Sequence, residues 1–346
     1  MKALLFILFI SFFNISLVNS KELPEYGPDF KQLDYETIYK IKDRGYLKCG
    51  VSYGLTGLSI IDDSGDIKGF YSDLCRAISA GFLGSKNLVE FIEISSDEDI
   101  FLALKDEEID VFSGPVNWTM KLYVGNDTLF SSPMYYDERK ILVHANNKNK
   151  SIKEILKLKI CSMKGTSTDL EIYSYLGTDK IKLNIDEYYS YSQLVSSFAK
   201  KDCQVLIQNN SVLKSIMKSS GLSENDYYIA PFSLNKMIIS PIVSNFDVKW
   251  WNLVNWVLNL LIYAEEKGIG IDNIKNYSKE EIKQIFNVND DYIDKMMLNR
   301  DFIYDIISQV GNYKEIYNRN ILKELKIERG SNTLYKDGGD LYSPSF

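Results

Sequence analysis

Apolar positions along this chain follow a repeating pair of patterns: a short continuous apolar run, then a longer stretch with apolar residues three and four apart. The first kind reads as a buried strand and the second as an amphipathic helix. Ile38 and Ile41 place a helix from residue 37 to near Gly45, and 46–51 is a strand. The turn Asp62-Asp63-Ser64-Gly65-Asp66 precedes a helix over 70–83, with Leu74, Ile78 and Phe82 on one face. A strand over 89–94, a helix over 97–105 capped by Ser95 or Ser96, and a strand over 109–112 follow. Strands alternating with helices of this length predict a mostly parallel sheet.

The pattern then restarts. Residues 140–143 are extended, 151–156 helical and 159–162 a strand. Gly165-Thr166-Ser167-Thr168-Asp169 opens a helix, Thr166 and Asp169 having the spacing of a capping box. A helix over 191–200, a strand over 204–207 and a helix over 210–219 come next, and 236–243 runs back toward the first part. Residues 250–266 form a long helix, Trp250, Trp251 and Trp256 packing it, and the remainder is mostly helical. The expected architecture is α/β in two lobes, 36–142 with 240–346 and 143–239, joined by crossing strands near 141–147 and 234–242. Ligands bind beyond the carboxyl ends of parallel strands, so the cleft between the lobes is the expected site.

Residues 1–20 combine a basic start at Lys2, an apolar run over 3–18 and small residues Val18 and Ser20 at cleavage positions. This is the pattern of an export signal cut after Ser20, too short to serve as a comfortable span. Export implies an oxidising compartment, where the four cysteines form disulfides. Three pairings are possible; Cys49 with Cys75 and Cys161 with Cys203 brace each lobe separately. With 47 acidic and 40 basic residues the net charge of −7 argues against nucleic acid or anionic membrane as main partner. His144 is the single histidine, no Cys/His/Asp cluster has metal-ligand spacing, and no cofactor is expected.

Several stretches carry a resemblance: Leu47-Lys48-Cys49-Gly50-Val51, Gly69-Phe70-Tyr71-Ser72-Asp73-Leu74-Cys75-Arg76-Ala77, Gly165-Thr166-Ser167-Thr168-Asp169-Leu170 and Gln309-Val310-Gly311-Asn312-Tyr313. Together, in this order, they resemble the periplasmic binding proteins of general L-amino-acid ABC transporters, in the polar-amino-acid group of solute-binding proteins. The similarity runs from about Lys40 to the C-terminus and includes the four cysteine positions. It implies a two-lobed Venus-flytrap fold with a two-strand hinge, present as a monomer in the periplasm. It also implies capture of a small-molecule ligand, an amino acid or related solute, and its delivery to an inner-membrane ABC permease.

The resemblance also implies the cleft residues. After the first strand, Ser52, Tyr53 and Leu55 would cover the ligand. Asn117, Trp118 and Thr119 would supply hydroxyl and backbone donors. Relatives follow these with an arginine that clamps the ligand α-carboxylate with a bidentate fork. An ungapped match on Trp118 and Phe130 puts Leu122 in that place, with Lys121 beside it. Met163 and the turn at Thr166, Ser167 and Thr168 would form a carboxylate cradle at a helix start. Asn209 stands where relatives carry the aspartate that accepts from the ligand ammonium. Both charged anchors are thus absent from their family positions, which predicts a less charged pocket. Two rivals are weighed: an orphan sensor that has lost ligand binding, and a periplasmic enzyme on the same fold, for which the cleft loops offer Asp169 as their one carboxylate.

Overall fold

The computed structural model describes residues 36–346 apart from 95, 165–167 and 178–180; the export segment at 1–20, Thr166 and Ser167 lie outside the described residues. The chain lays down β1 (Leu47–Val51), the short pair β2 (Ile60–Ile61) and β3 (Ile67–Lys68), β4 (Val89–Glu93), β5 (Val111–Phe112) and β6 (Thr128–Phe130). It continues through β7 (Tyr135–His144), β8 (Lys159–Met163), β9 (Asn184–Tyr188), β10 (Val205–Asn209), β11 (Tyr227–Ile229) and β12 (Asn235–Ile239), then β13 (Ile242–Ser244). Beside the two-stranded sheet β2-β3, the described residues form two larger sheets, in the orders β4-β1-β5-β13-β6 and β11-β7-β10-β8-β9, with β12 also on β7.

The inner strands β1, β5, β8 and β10 are largely buried on both faces, whereas the edge strands β4 and β9 are partly exposed. Leu47, Cys49 and Val51 face the cluster built around helices Phe70–Leu83 and Val248–Glu266. Between them Gly50 faces Ile94, Ile109 and Phe112, which pack with helix Asp97–Lys105. In the second sheet Ile141 and Val143 point to one cluster and Leu142 to another. Continuous apolar runs of this kind are what two-sided burial requires. Trp250 is fully buried with its Nε1 donating to the Asp110 carbonyl at 2.8 Å, and Trp251 donates to the Phe130 carbonyl at 2.9 Å, so both anchor the long helix.

The sheets are mixed, not mostly parallel. β1 pairs parallel with β4 and β5, and β8 with β9 and β10, whereas β7 and β13 pair antiparallel with their neighbours. The physical reason is that β7 and β13 leave the hinge and run outward into their lobes, whereas β1, β5, β8 and β10 end toward the cleft, so the crossing strands lie against them in the opposite direction. The lobe boundary also differs from the expected 142. Residues 139–143 of β7 already pair with β10, and 135–139 with β12, so the first crossing lies between Phe130 and Tyr135. The second lies between Ile239 and Ile242. The two crossing segments bond to each other, Met134 N donating to the Ile239 carbonyl and Ser131 N to the Pro241 carbonyl, both at 3.0 Å.

The C-terminal segment reaches over this hinge. Asn332 pairs with the backbone of Tyr136 as a strand would, its Oδ1 accepting from N at 2.7 Å and its Nδ2 donating to O at 2.9 Å. Arg329 forks Glu265 at 2.6 and 3.0 Å, which fixes the turn that carries Asn332. Two surface ion pairs continue the attachment, Lys218 with Glu324 and Lys236 with Asp340, each at 2.5 Å.

Cys49 on β1 is bridged to Cys75 on the adjacent helix, with Cα atoms 6.3 Å apart, and Cys161 on β8 to Cys203 beside β10, at 5.8 Å. Each bridge stays within one lobe. Replacing either pair by alanine lowers unfolding free energy by about 3–4 kcal/mol on the chain-entropy account, for closed loops of 26 and 42 residues. Urea titration of the two double variants measures it; an unchanged midpoint would show that the bridges constrain little of the unfolded chain.

Candidate functional site

A cavity of about 50 Å³ lies where the two lobes meet. It sits at the carboxyl ends of β1, β4, β5, β8 and β10, where parallel strands leave their last carbonyls and the following loops converge. That volume holds a few waters, so the lobes stand closed over it and admitting a solute requires them to part.

Among the described residues the first lobe contributes no charge to the wall. Ser52 follows β1, Ile94 follows β4, and Pro115, Val116 and Asn117 come from the loop after β5. Thr119 and Leu122 begin the short helix Met120–Gly125, where the Thr119 Oγ1 accepts from Leu122 N at 3.3 Å. This loop is pinned across the hinge: Trp118 N donates to the Ile238 carbonyl at 2.8 Å, and Ile238 N to the Asn117 Oδ1 at 3.1 Å.

The charged groups come from the second lobe: Arg139 on β7, Lys164 after β8, and Glu171 in helix Thr168–Leu176. The Lys164 Nζ donates to the Tyr189 hydroxyl at 2.7 Å and lies over that ring. Arg139 is the centre of a network. Its Nη1 donates to Gln208 Oε1 at 3.1 Å and to Asn209 Oδ1 at 2.9 Å, and its Nη2 donates to Glu171 Oε1 at 3.0 Å. The Arg139 Nε and Glu171 Oε2 approach to 2.6 Å as an ion contact without hydrogen-bond alignment. The two side chains are 7% and 12% exposed, so this pair is held in a poorly solvated place where an unmatched charge is costly.

Of the expected site residues, Ser52, Asn117, Thr119, Leu122 and Met163 line the cavity. Others are placed elsewhere. Leu55 is fully buried in the first-lobe core, its N donating to the Ser59 carbonyl in a tight turn. Tyr53 turns away to the β4 edge, its hydroxyl donating to the Phe91 carbonyl at 3.0 Å. Trp118 stacks on Phe130, ring centroids 5.5 Å apart, and Lys121 is exposed off the cavity. Asn209 is buried, and its oxygen, expected to face a ligand ammonium, accepts from Arg139; its Nδ2 donates to the Pro115 carbonyl at 3.2 Å and so ties the lobes together. Thr168 is buried and accepts from the Ser162 hydroxyl at 2.8 Å. His144 packs between Phe198 and Tyr227, with Nε2 3.0 Å from the Phe198 carbonyl, and burial holds its pKa below the usual value.

Arg139, Glu171 and Gln208 were not expected. The available signal was strand alternation: Tyr135, Asp137, Arg139, Ile141 and Val143 share one face of β7, and all five are buried. Two ionisable residues on the apolar side of one strand call for partners. Those of Asp137 are Ser211, whose hydroxyl and N donate at 2.6 and 3.2 Å, and Glu138 N at 2.8 Å. Burial beside Tyr71, Tyr135 and Tyr317 pushes the Asp137 carboxyl up to about 6 against these bonds. A carboxyl raised above its unfolded value binds its proton more tightly when native, so its stabilisation is full below about pH 4 and lost as pH rises to about 6. Asp137→Asn is expected to flatten the fall in stability between pH 4 and 6.5 by an amount of order 2 kcal/mol, read from urea midpoints. Parallel pH profiles for the two proteins would contradict this placement.

Comparison with known proteins agrees with the architecture. Residues 47–227 match the bacterial extracellular solute-binding proteins, family 3. The general L-amino acid-binding periplasmic protein AapJ of Rhizobium johnstonii is 31% identical over 315 residues, covering 89% of this chain and 92% of that protein. The glutamate/glutamine/aspartate/asparagine-binding protein BztA of Rhodobacter capsulatus is 28% identical, covering 90% and 93%. Among solved structures, a Brucella ovis ABC transporter periplasmic binding protein with glutathione bound superposes with a TM-score of 0.82 at 28% identity, covering 89% of this chain and 98% of that one. The chain belongs to the bacterial extracellular solute-binding proteins of family 3.

Proposed function

We propose that this protein captures an amino acid or a closely related small polar solute between its lobes and passes it to an inner-membrane ABC permease. It acts as a monomer in the periplasm, after export and cleavage following Ser20. The observation that carries this reading is the cavity itself: a closed interlobe pocket, uncharged on one side among the described residues, with Arg139, Lys164 and Glu171 on the other. A guanidinium and a carboxylate presented together suit a solute that carries both charges. Ser52, Asn117, Thr119, Leu122 and Met163 complete the contact surface. The names of AapJ and BztA support an amino-acid ligand. The glutathione held by the Brucella protein favours, as a second reading, a small peptide carrying the same two groups.

A thermal-shift screen of the mature protein tests this, against L-amino acids, their amides, glutathione, betaines, polyamines and small organic acids. A ligand present at a thousand times its Kd adds about 4.1 kcal/mol to native stability and should stand out plainly. A hit confined to polyamines or betaines, or no shift with any amino acid or glutathione, would sink the reading.

A further inference from the structure

We infer that Glu171 is a built-in stand-in for the ligand's carboxylate, and that the pocket takes its solute by ion-pair exchange: the ligand carboxylate replaces Glu171 on Arg139 while the ligand ammonium engages the released Glu171. This rests on the reading above and deepens it, because it names the charge pattern a ligand must carry.

The argument starts from what Arg139 has left to give. A guanidinium has five N–H donors. Those of Nη1 are directed at the Gln208 and Asn209 oxygens, and Nη2 and Nε face the two Glu171 oxygens. Gln208 and Asn209 close β10 and are tied down, Asn209 also to the Pro115 carbonyl across the cleft. Among the described residues Glu171 is bonded to Arg139 alone, and it sits in the helix that follows β8. Of the groups on Arg139, Glu171 is therefore the exchangeable one, and it presents the two-oxygen fork that a ligand carboxylate presents.

Charge balance then selects the ligand. A simple anion displacing Glu171 would add a second negative charge to a poorly solvated wall whose cations among the described residues are Arg139 and Lys164, the latter already held on Tyr189. A simple cation drawn to Glu171 would leave Arg139 short of its partner. A solute carrying both groups replaces one buried pair by two and strands neither charge. Among the described residues the first-lobe wall has no charge to compensate a mismatch. Selectivity for dipolar solutes is thus set within the second lobe.

Calorimetry on the wild type, Glu171→Gln and Glu171→Asp tests the exchange with matched probes: L-leucine against 4-methylpentanoate, L-glutamate against glutarate, and L-alanine against propionate. In the wild type the amino acid that binds should exceed its des-amino partner by at least 100-fold. Glu171→Gln should bring that ratio below tenfold, because the amino acid weakens while the carboxylate, now free to take Arg139, gains. Glu171→Asp should retain the preference, which separates loss of the charge from damage to the helix. A ratio unchanged in Glu171→Gln overturns the exchange. If the wild type binds none of the three amino acids, the amino-acid reading fails for these solutes, and the carboxylate arm still decides: tighter propionate or glutarate binding by Glu171→Gln supports the exchange, and no gain overturns it.

Discussion

Replacing Arg139 by glutamine is expected to weaken binding of the best amino-acid ligand by about 10- to 150-fold, the loss of a charge-assisted fork at about 1.5–3 kcal/mol. The same change leaves Glu171 with no cation in hydrogen-bond reach among the described residues, in a region where its side chain is 12% exposed. Removing one member of a buried pair costs about 3–5 kcal/mol, so the unfolding midpoint should fall as well. The two effects are separable. Calorimetry at a temperature where circular dichroism shows the variant folded reads affinity alone. Arg139→Lys keeps the charge but cannot span Glu171, Gln208 and Asn209 at once, so it should fall between wild type and Arg139→Gln. Affinity within about threefold of wild type in Arg139→Gln would make this arginine a structural partner only and put the ligand's carboxylate elsewhere.

Gly69→Ala should be among the most damaging single methyl groups that can be added to the described residues. Gly69 precedes helix Phe70–Leu83 with φ 137° and ψ 174°, a backbone region that only glycine occupies readily. The position exists because the first donors of that helix are taken by a neighbouring turn: Phe70 N bonds the Gly57 carbonyl and Tyr71 N the Leu58 carbonyl, both at 3.0 Å. That approach brings the turn so near that an added Cβ lies 2.2 Å from the Leu58 oxygen and 2.3 Å from its carbon. Backbone strain of about 1–3 kcal/mol and a similar overpacking cost combine to about 3–5 kcal/mol. The helix also carries Cys75, so slower or incomplete formation of the Cys49–Cys75 bridge should accompany the loss. Thermal unfolding of Gly69→Ala within about 1 kcal/mol of wild type would mean that the turn gives way freely.

The two α/β lobes and the pairing of the cysteines were legible in the sequence because they rest on local signals: alternating strands and helices, and neighbouring cysteines in a chain marked for export. The first crossing was misplaced because β7 belongs to the hinge and to the second sheet as one uninterrupted strand. Its polar first half, Tyr135 to Lys140, looks like a connection, and only pairing with β10 and β12 makes it sheet. The charges of the site escaped for a related reason. Looking for the family's anchors at Leu122 and Asn209 found them gone, whereas Arg139 and Glu171 lie on a different strand and helix and meet only when the fold closes. Leu55 and Tyr53 failed as cleft residues because a loop after a strand can turn inward to the core, and residue type does not say which way it turns.

The C-terminal attachment at Tyr136, Lys218 and Lys236 bears on the mechanics of opening. Two bodies held by a pair of adjacent strands can bend about them and can also twist, since neither strand resists torsion well. An arm of one body that grips the other at further points takes away part of the twist and leaves the bend. Every opening and closing stroke then retraces much the same path, so the closed surface is presented in one alignment each time. For a receptor whose shape is read by another protein, that amounts to fidelity of signal, obtained from residues that never touch the solute.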